Sequence, residues 1–252
     1  MTQTALRMRH IFQPDGRAVI VALDYGLTGN GIPDLEVKVP QIVAGGADAV
    51  LMTYGLALSY GHLLGRCGLL LSLTDERDDV EASVLQGLRL GADGIKAIAY
   101  THRPDQTIAL NRLASLAAVC RAWNMPLLAE MIPVSFEARE AHTPEKIAQA
   151  ARHGFEAGAD CLKVHFTGNA ATFRPIAQAN PVPVTVLGGP RTNDDRAFLA
   201  TIKEAIDGGA AGVVIGRNVW GHAHPDRMTA ALAAIVHGGA SVDEAAKVLE
   251  GR

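Results

Sequence analysis

With 252 residues and a net charge of −3 spread over intermixed acidic and basic side chains, the chain has the length of one large domain. It carries no basic field of the kind that binds nucleic acid. The 48% hydrophobic fraction supports a substantial core, and only 5% aromatic residues leaves aliphatic side chains and alanine to fill it. Cys67, Cys120 and Cys161 are scattered and lack metal-ligand spacing, and no apolar run resembles a signal peptide or a membrane span. The expectation is a reduced, cytoplasmic protein with no membrane or nucleic-acid partner, no metal and no cofactor.

Residues 1–16, with a Pro-Asp-Gly turn, read as a leading segment. Residues 18–23 (Ala-Val-Ile-Val-Ala-Leu) form the near-continuous apolar run expected of a parallel strand covered on both faces, ending at Asp24-Tyr25-Gly26. A helix is predicted over 33–43. A repeat then begins: Gly45-Gly46-Ala47-Asp48 is echoed by Leu90-Gly91-Ala92-Asp93, by Ala157-Gly158-Ala159-Asp160 and by Gly208-Gly209-Ala210-Ala211. In each copy a helix stops at glycine and a strand follows. A βα unit takes about 30 residues, so each interval between copies holds two.

Strands fit at 18–23, 49–53, 68–73, 94–99, 127–130, 161–166, 182–187 and 212–215. Helical periodicity occupies 80–90, 106–123, 144–157, 171–179, 194–207 and 225–237, and a last helix lies at 241–249 within the tail 241–252. Eightfold strand–helix alternation predicts one (β/α)8 TIM barrel spanning 1–252, with a doubly wound open sheet as the rival.

In such a barrel the chemistry sits at the C-terminal ends of the strands. Candidates there are Asp24 after strand one, Thr53 and Tyr54 after strand two, and Thr74 and Asp75 after strand three. Strand four contains Lys96 and is followed by Tyr100 and His102, and Glu130 closes strand five. Alternation along 161–166 puts Cys161, Lys163 and His165 on one face. A mid-strand lysine loses water, which favours the neutral amine that attacks a carbonyl to form a Schiff base. The competing readings for Lys163 are a snorkelling stem or a structural ion pair. Strands seven and eight end in Gly188-Gly189-Pro190-Arg191 and Gly216-Arg217-Asn218, and paired glycine loops in these places suit a phosphate. Cys161 and Cys120 read as small buried hydrophobes, His222 and His224 as helix-start or interface residues, and Trp123 and Trp220 as packing residues.

The segments Ala-Asp-Cys-Leu-Lys163-Val, Leu-Gly188-Gly189-Pro and Gly-Val-Val-Ile-Gly216-Arg217-Asn218-Val-Trp-Gly-His resemble the class I aldolases of the DeoC and archaeal fructose-bisphosphate aldolase group. That group includes the autoinducer-2 phosphate aldolase or thiolase-like enzyme and aminodideoxyheptulosonate synthase. The resemblance implies a Schiff base at Lys163, an active-site carboxylate at Asp24, phosphate held by Gly188, Gly189, Gly216 and Arg217, and a homo-oligomer, often a decamer. It also implies a metal-independent lyase acting on a phosphorylated ketose or related sugar phosphate. Where the bisphosphate aldolases carry a Tyr-Pro pair after strand five, this chain has Ile132-Pro133, so the acid/base tyrosine is vacated. Asp24, Glu130, Tyr100, His102 and His165 compete for its role, with Glu130 preferred if an apolar mouth raises its pKa; an ion pair with Lys96 or Lys163 is the alternative. Lys96 is expected either to repel charge on Lys163 or to be itself the nucleophile, and His165 to be a core histidine. Isomerisation, condensation, acyl transfer and non-catalytic sugar-phosphate binding are the remaining functional alternatives.

Overall fold

The apolar runs pair in strict sequence order in a computed structural model, which describes residues 4–27, 31–73 and 79–251. The strands are β1 (Ala18–Ala22), β2 (Ala49–Met52), β3 (Gly68–Leu73), β4 (Gly94–Thr101), β5 (Leu127–Pro133), β6 (Cys161–Val164), β7 (Val184–Leu187) and β8 (Gly212–Ile215). All neighbours are parallel, and β8 returns to β1 through the register Ala18↔Gly212 and Ile20↔Val214. The sheet is therefore a closed eight-stranded barrel, and the open-sheet rival is excluded.

Helix α1 (Thr4–Met8) precedes β1, and α2 (Leu35–Ala44), α3 (Tyr54–Tyr60), α4 (Val80–Arg89), α5 (Gln106–Ala122), α6 (Pro144–Glu156) and α7 (Ala170–Ala179) follow the strands. They continue as α8 (Asp195–Asp207), α9 (Arg217–Trp220), α10 (Pro225–Val236) and α11 (Val242–Glu250). The short helices α1, α3 and α9 are additions to the sequence reading, which had too few residues there to reveal a period. Strands β4 and β5 run further than expected, pairing as far as Thr101↔Pro133. Strand β6 stops early, at Val164, so His165 and Phe166 lie beyond the ladder.

Side-chain alternation sorts the core into two shells. Ile20, Leu51, Leu70, Leu128, Cys161 and Val214 fill the barrel interior. Val21, Val50, Leu71, Ile95, Leu162 and Val213 face the helices. Inner-face positions nearer the C-terminal ends are those left for polar side chains.

The repeated Gly-Ala-Asp segment now has a physical role. Gly46, Gly91, Gly158 and Gly209 all have positive φ, between 75° and 101°, which glycine adopts without the Cβ penalty as each helix turns into the next strand. The aspartate that follows binds the start of the preceding strand. Asp48 accepts from the Val19 amide at 2.6 Å, Asp93 from Leu69 at 2.9 Å and Asp160 from Leu127 at 3.0 Å. The fourth copy has Ala211, whose own amide still donates to Val184 O at 2.8 Å, but the carboxylate latch is missing. Further side chains brace these carboxylates at the N-terminal end: His237 on Asp48, His10 on Asp93 and Arg121 on Asp160.

Candidate active site

Four charged side chains, three on strands and one in the turn after β1, meet near the C-terminal end of the barrel. Glu130, in the middle of β5, receives Lys163 Nζ on one carboxylate oxygen at 2.6 Å and Lys96 Nζ on the other at 2.7 Å. Lys96 also reaches Asp24 Oδ2 at 3.2 Å, and the same oxygen accepts from Ser72 Oγ at 2.8 Å. The register explains the convergence, because Glu130 is level with Lys163 on β6, and Ser72 on β3 is level with Lys96 on β4. The long stem of Lys96 spans the interval up to Glu130. Asp24 sits in the turn just after β1, facing the same space.

Lys96, Glu130 and Lys163 are all buried. An isolated ion at such depth would cost several kcal/mol even after relaxation. Two ammonium groups facing two carboxylates cancel in charge, and the contacts supply partners to each of the four groups. The electrostatics then sort by neighbour. Burial alone would raise the Glu130 carboxyl, but Lys163 and Lys96 outweigh it and hold it down at about 2. This corrects the expectation of a raised pKa, for which an apolar mouth would have had to dominate; two cations in direct contact do so instead. Lys96 is opposed by burial as well, yet Glu130 and Asp24 push its pKa upward, so it is a fixed cation. That argues against Lys96 as the neutral nucleophile. Glu130 also stands between Lys96 and Lys163, so the two lysines meet through a shared counter-ion.

One layer further out, inner-face positions on β4 and β5 carry Tyr100 and Ile132, which are register partners. Tyr100 lies inside β4, one residue past the predicted strand end. Its ring packs edge-on against Phe136 at 6.2 Å, with the Arg103 guanidinium 5.2 Å over its face. Phe136 in turn meets His165 at 6.2 Å, and His165 stacks on His142 at 3.7 Å. Burial and the neighbouring His142 hold the His165 imidazole down at about 4, so its ring is neutral near pH 7. His142 Nε2 contacts the Ser135 carbonyl at 2.8 Å, which requires that nitrogen to carry the hydrogen.

His102 does not join the cluster. Its backbone is left-handed (φ 58°), and its Nε2 meets Gln149 on α6 at 2.8 Å, which ties the ring to the helical layer. Thr53 precedes α3 without a side-chain capping bond, and Thr74 and Asp75 lie outside the described residues. Of the acidic run 75–79, the described Asp79 caps α4 by accepting from the Ala82 amide. His222 turns to Asp195 at 3.2 Å and to the backbone of His224, in keeping with a role at a helix start. Cys161 is buried in the inner shell, and burial, followed by Asp160, drives its thiol pKa upward.

The glycine loops stand side by side after β7 and β8. Gly189 has φ +64° and open space around it, whereas a Cβ on Gly216 would lie 2.7 Å from the Ala22 carbonyl. Gly216 therefore lets the β8 loop approach β1, and the four-residue helix α9 starts directly after it. Arg217 lies with its guanidinium 5.6 Å over the Tyr25 ring. Asn218, which sequence reasoning did not single out, staples the two loops together. Its amide nitrogen donates to Gly188 O and Pro190 O, both at 3.0 Å, and its oxygen accepts from Thr192 N at 2.9 Å. Ser72 was missed too, although a lone hydroxyl closing the run Leu-Leu-Leu-Ser-Leu was a usable signal.

A model of the DeoC/LacD family aldolases matches residues 18–222. The chain is 33% identical over 245 residues to the 2-amino-3,7-dideoxy-D-threo-hept-6-ulosonate synthase of Halobacterium salinarum, covering 92% of this chain and 91% of that protein. It is 32% identical over 247 residues to the 2-amino-4,5-dihydroxy-6-oxo-7-(phosphonooxy)heptanoate synthase of Streptomyces griseus, covering 92% and 89%. Among solved structures, an archaeal fructose 1,6-bisphosphate aldolase superposes with a TM-score of 0.83 at 27% identity, over 94% of this chain and all of the other. A Schiff base-forming fructose-1,6-bisphosphate aldolase superposes with a TM-score of 0.82 at 26% identity, over 94% and 100%.

Proposed function

We propose, from the premise that this chain belongs to the DeoC/LacD family of aldolases, that it forms or cleaves a carbon–carbon bond through an iminium on Lys163. The substrate class is a phosphorylated ketose or related sugar phosphate. The observation that carries the reading is Glu130, held 2.6 Å from Lys163 and 2.7 Å from Lys96.

Lys163 in the resting enzyme is paired with a carboxylate, and its amine must lose a proton to attack a ketone carbon. Glu130 is the group in contact that can receive it. Once Nζ is neutral, one of the two cations that lower the Glu130 pKa has gone, so the carboxyl gains proton affinity as it is needed. The proton then goes to the carbinolamine hydroxyl, which leaves as water. The resulting iminium restores a positive charge at the position the ammonium occupied. Lys96 remains cationic throughout, fixed by Asp24 and Glu130, so the cluster balances charge before and after the step. A site built this way stabilises the iminium with little reorganisation.

The Gly188-Gly189 and Gly216-Arg217 loops are assigned to the substrate phosphate, with backbone amides and the Arg217 guanidinium as donors. Barrels often place phosphate after strands seven and eight, beside a short extra helix, which is the position of α9. Condensation is the second reading, favoured by the two synthases at 33% and 32% identity. It uses the same iminium in the opposite direction.

The test is intact mass after borohydride reduction in the presence of dihydroxyacetone phosphate, phosphorylated ketoses and simple ketones. A substrate-sized gain in wild type that disappears in Lys163→Met supports the assignment and names the donor. No gain with any ligand that binds contradicts it.

A further inference from the structure

The ion cluster that prepares Lys163 leaves the second proton of the reaction unassigned. A carbon–carbon bond that forms at a carbonyl turns the carbonyl oxygen into a hydroxyl, and some group must deliver that hydrogen. Glu130 has already returned its proton to the carbinolamine hydroxyl when the new bond forms and again faces the Lys96 cation as a carboxylate, and Asp24 accepts from both Ser72 and Lys96. His102 is turned to Gln149, and the His165 ring is stacked on His142 with its Nε2 buried.

Tyr100 remains. It shares the inner face of β4 with Lys96 and Ile98, and Ile98 is level with Glu130 while Tyr100 is level with Ile132. Two residues along a strand advance about 6–7 Å, so the phenol stands one layer beyond the plane of Glu130 and Lys163, toward the open end. A substrate tethered to Lys163 Nζ and leading out of the barrel extends into that layer. The ring is held by Phe136 on its edge and Arg103 over its face. Its residue is only half-buried, so the ring edge is open to the barrel mouth rather than sealed in the core.

We propose that Tyr100 is the catalytic acid that protonates the acceptor oxygen during bond formation, and the corresponding base during cleavage. The inference rests on the Schiff-base reading above. In condensation, the enamine carbon on Lys163 supplies the electron pair that bonds to the acceptor carbonyl carbon. The carbonyl π electrons move to oxygen, which takes the Tyr100 hydrogen, and the enamine nitrogen returns to iminium. The phenolate left behind is reprotonated from water. Burial and the Glu130 carboxylate raise the Tyr100 pKa, so the phenol is protonated near neutral pH, the state an acid requires.

The test compares wild type with Tyr100→Phe, which keeps the ring against Phe136 and Arg103. Two quantities are measured with the ketose phosphate that traps best on wild type: borohydride adduct formation, and aldehyde release on cleavage. Trapping in the variant within about twofold of wild type, with kcat lower by about 10²-fold, is the expected result. Microscopic reversibility requires an equal loss in both directions. The pH profile adds a readout that a purely structural ring would not alter, since the limb set by the phenol is present in wild type and absent in the variant. Turnover in the variant within threefold of wild type, with trapping intact, overturns the proposal alone. Parallel loss of trapping and turnover assigns Tyr100 a structural role and overturns it too. Absence of any adduct on wild type overturns the Schiff-base reading and this proposal with it.

Discussion

At the N-terminal end of the barrel, Asp48, Asp93 and Asp160 each bind a backbone amide among the first two residues of the preceding strand. At the C-terminal end, Asp24 and Glu130 bind ammonium groups instead. The same side-chain chemistry thus serves two ends. Carboxylates at the first end take fixed peptide donors and hold strands in register; at the second, Glu130 takes one fixed cation, Lys96, and one partner, Lys163, that changes protonation state in the proposed reaction. The first arrangement repeats with the fold and the second occurs once. The difference teaches that a repeated carboxylate reports architecture, and that an unrepeated one beside a mid-strand lysine reports chemistry.

Removing the lysine breaks the comparison most severely at the catalytic end. Lys163→Met is expected to lower turnover by at least about 10³-fold while circular dichroism and cooperative unfolding persist, since Met is of similar length and leaves Glu130 paired with Lys96. Glu130→Gln is expected next. It leaves two buried ammonium groups without their shared counter-ion, which costs about 3–5 kcal/mol in denaturant unfolding and lowers kcat by about 10²-fold. Asn218→Ala removes the staple between the phosphate loops. Its expected effect is a KM for the phosphorylated substrate about tenfold higher, with a much smaller change for an unphosphorylated analogue, read from initial rates.

At the other end, Asp93→Ala leaves the Leu69 amide and His10 without their acceptor. It should cost about 1–3 kcal/mol in urea unfolding and leave kcat unchanged, because it touches none of the cluster. The smallest effect is a pH dependence at His237. Burial opposes its charge, but hydrogen bonds to Asp15 and Asp48 win and raise its pKa above 6.5. A raised folded-state pKa contributes stability that is fully present below 6.5 and lost as pH rises through the folded value. The stability difference between wild type and His237→Asn should therefore shrink as urea unfolding is repeated from about pH 6 to about pH 9.

The barrel was legible because glycine repeats mark the same helix-to-strand turn each time, as at Gly46, Gly91 and Gly158. Strand ends were less so. Tyr100 and Thr101 extend β4, and Met131 to Pro133 extend β5, because each strand lengthens against the other, and a pairing partner does not appear in local composition. At the site, Lys163, Glu130, Asp24 and Lys96 were all named from the sequence as candidates, since charged residues at the ends of apolar strands stand out. Their mutual order was not accessible. Whether burial or ion pairing governs Glu130 depends on which side chains reach its two oxygens, and that follows from register across β4, β5 and β6. Asn218 escaped for a similar reason, since its partners at 188, 190 and 192 belong to another loop.

The most direct measurement is peptide mapping of the wild-type enzyme after borohydride reduction with the donor that traps best. The account predicts that the adduct lies on Lys163, which shares the Glu130 carboxylate, and that the peptide carrying Lys96 is unmodified. An adduct on Lys96, or steady turnover with no adduct on either lysine, would contradict it.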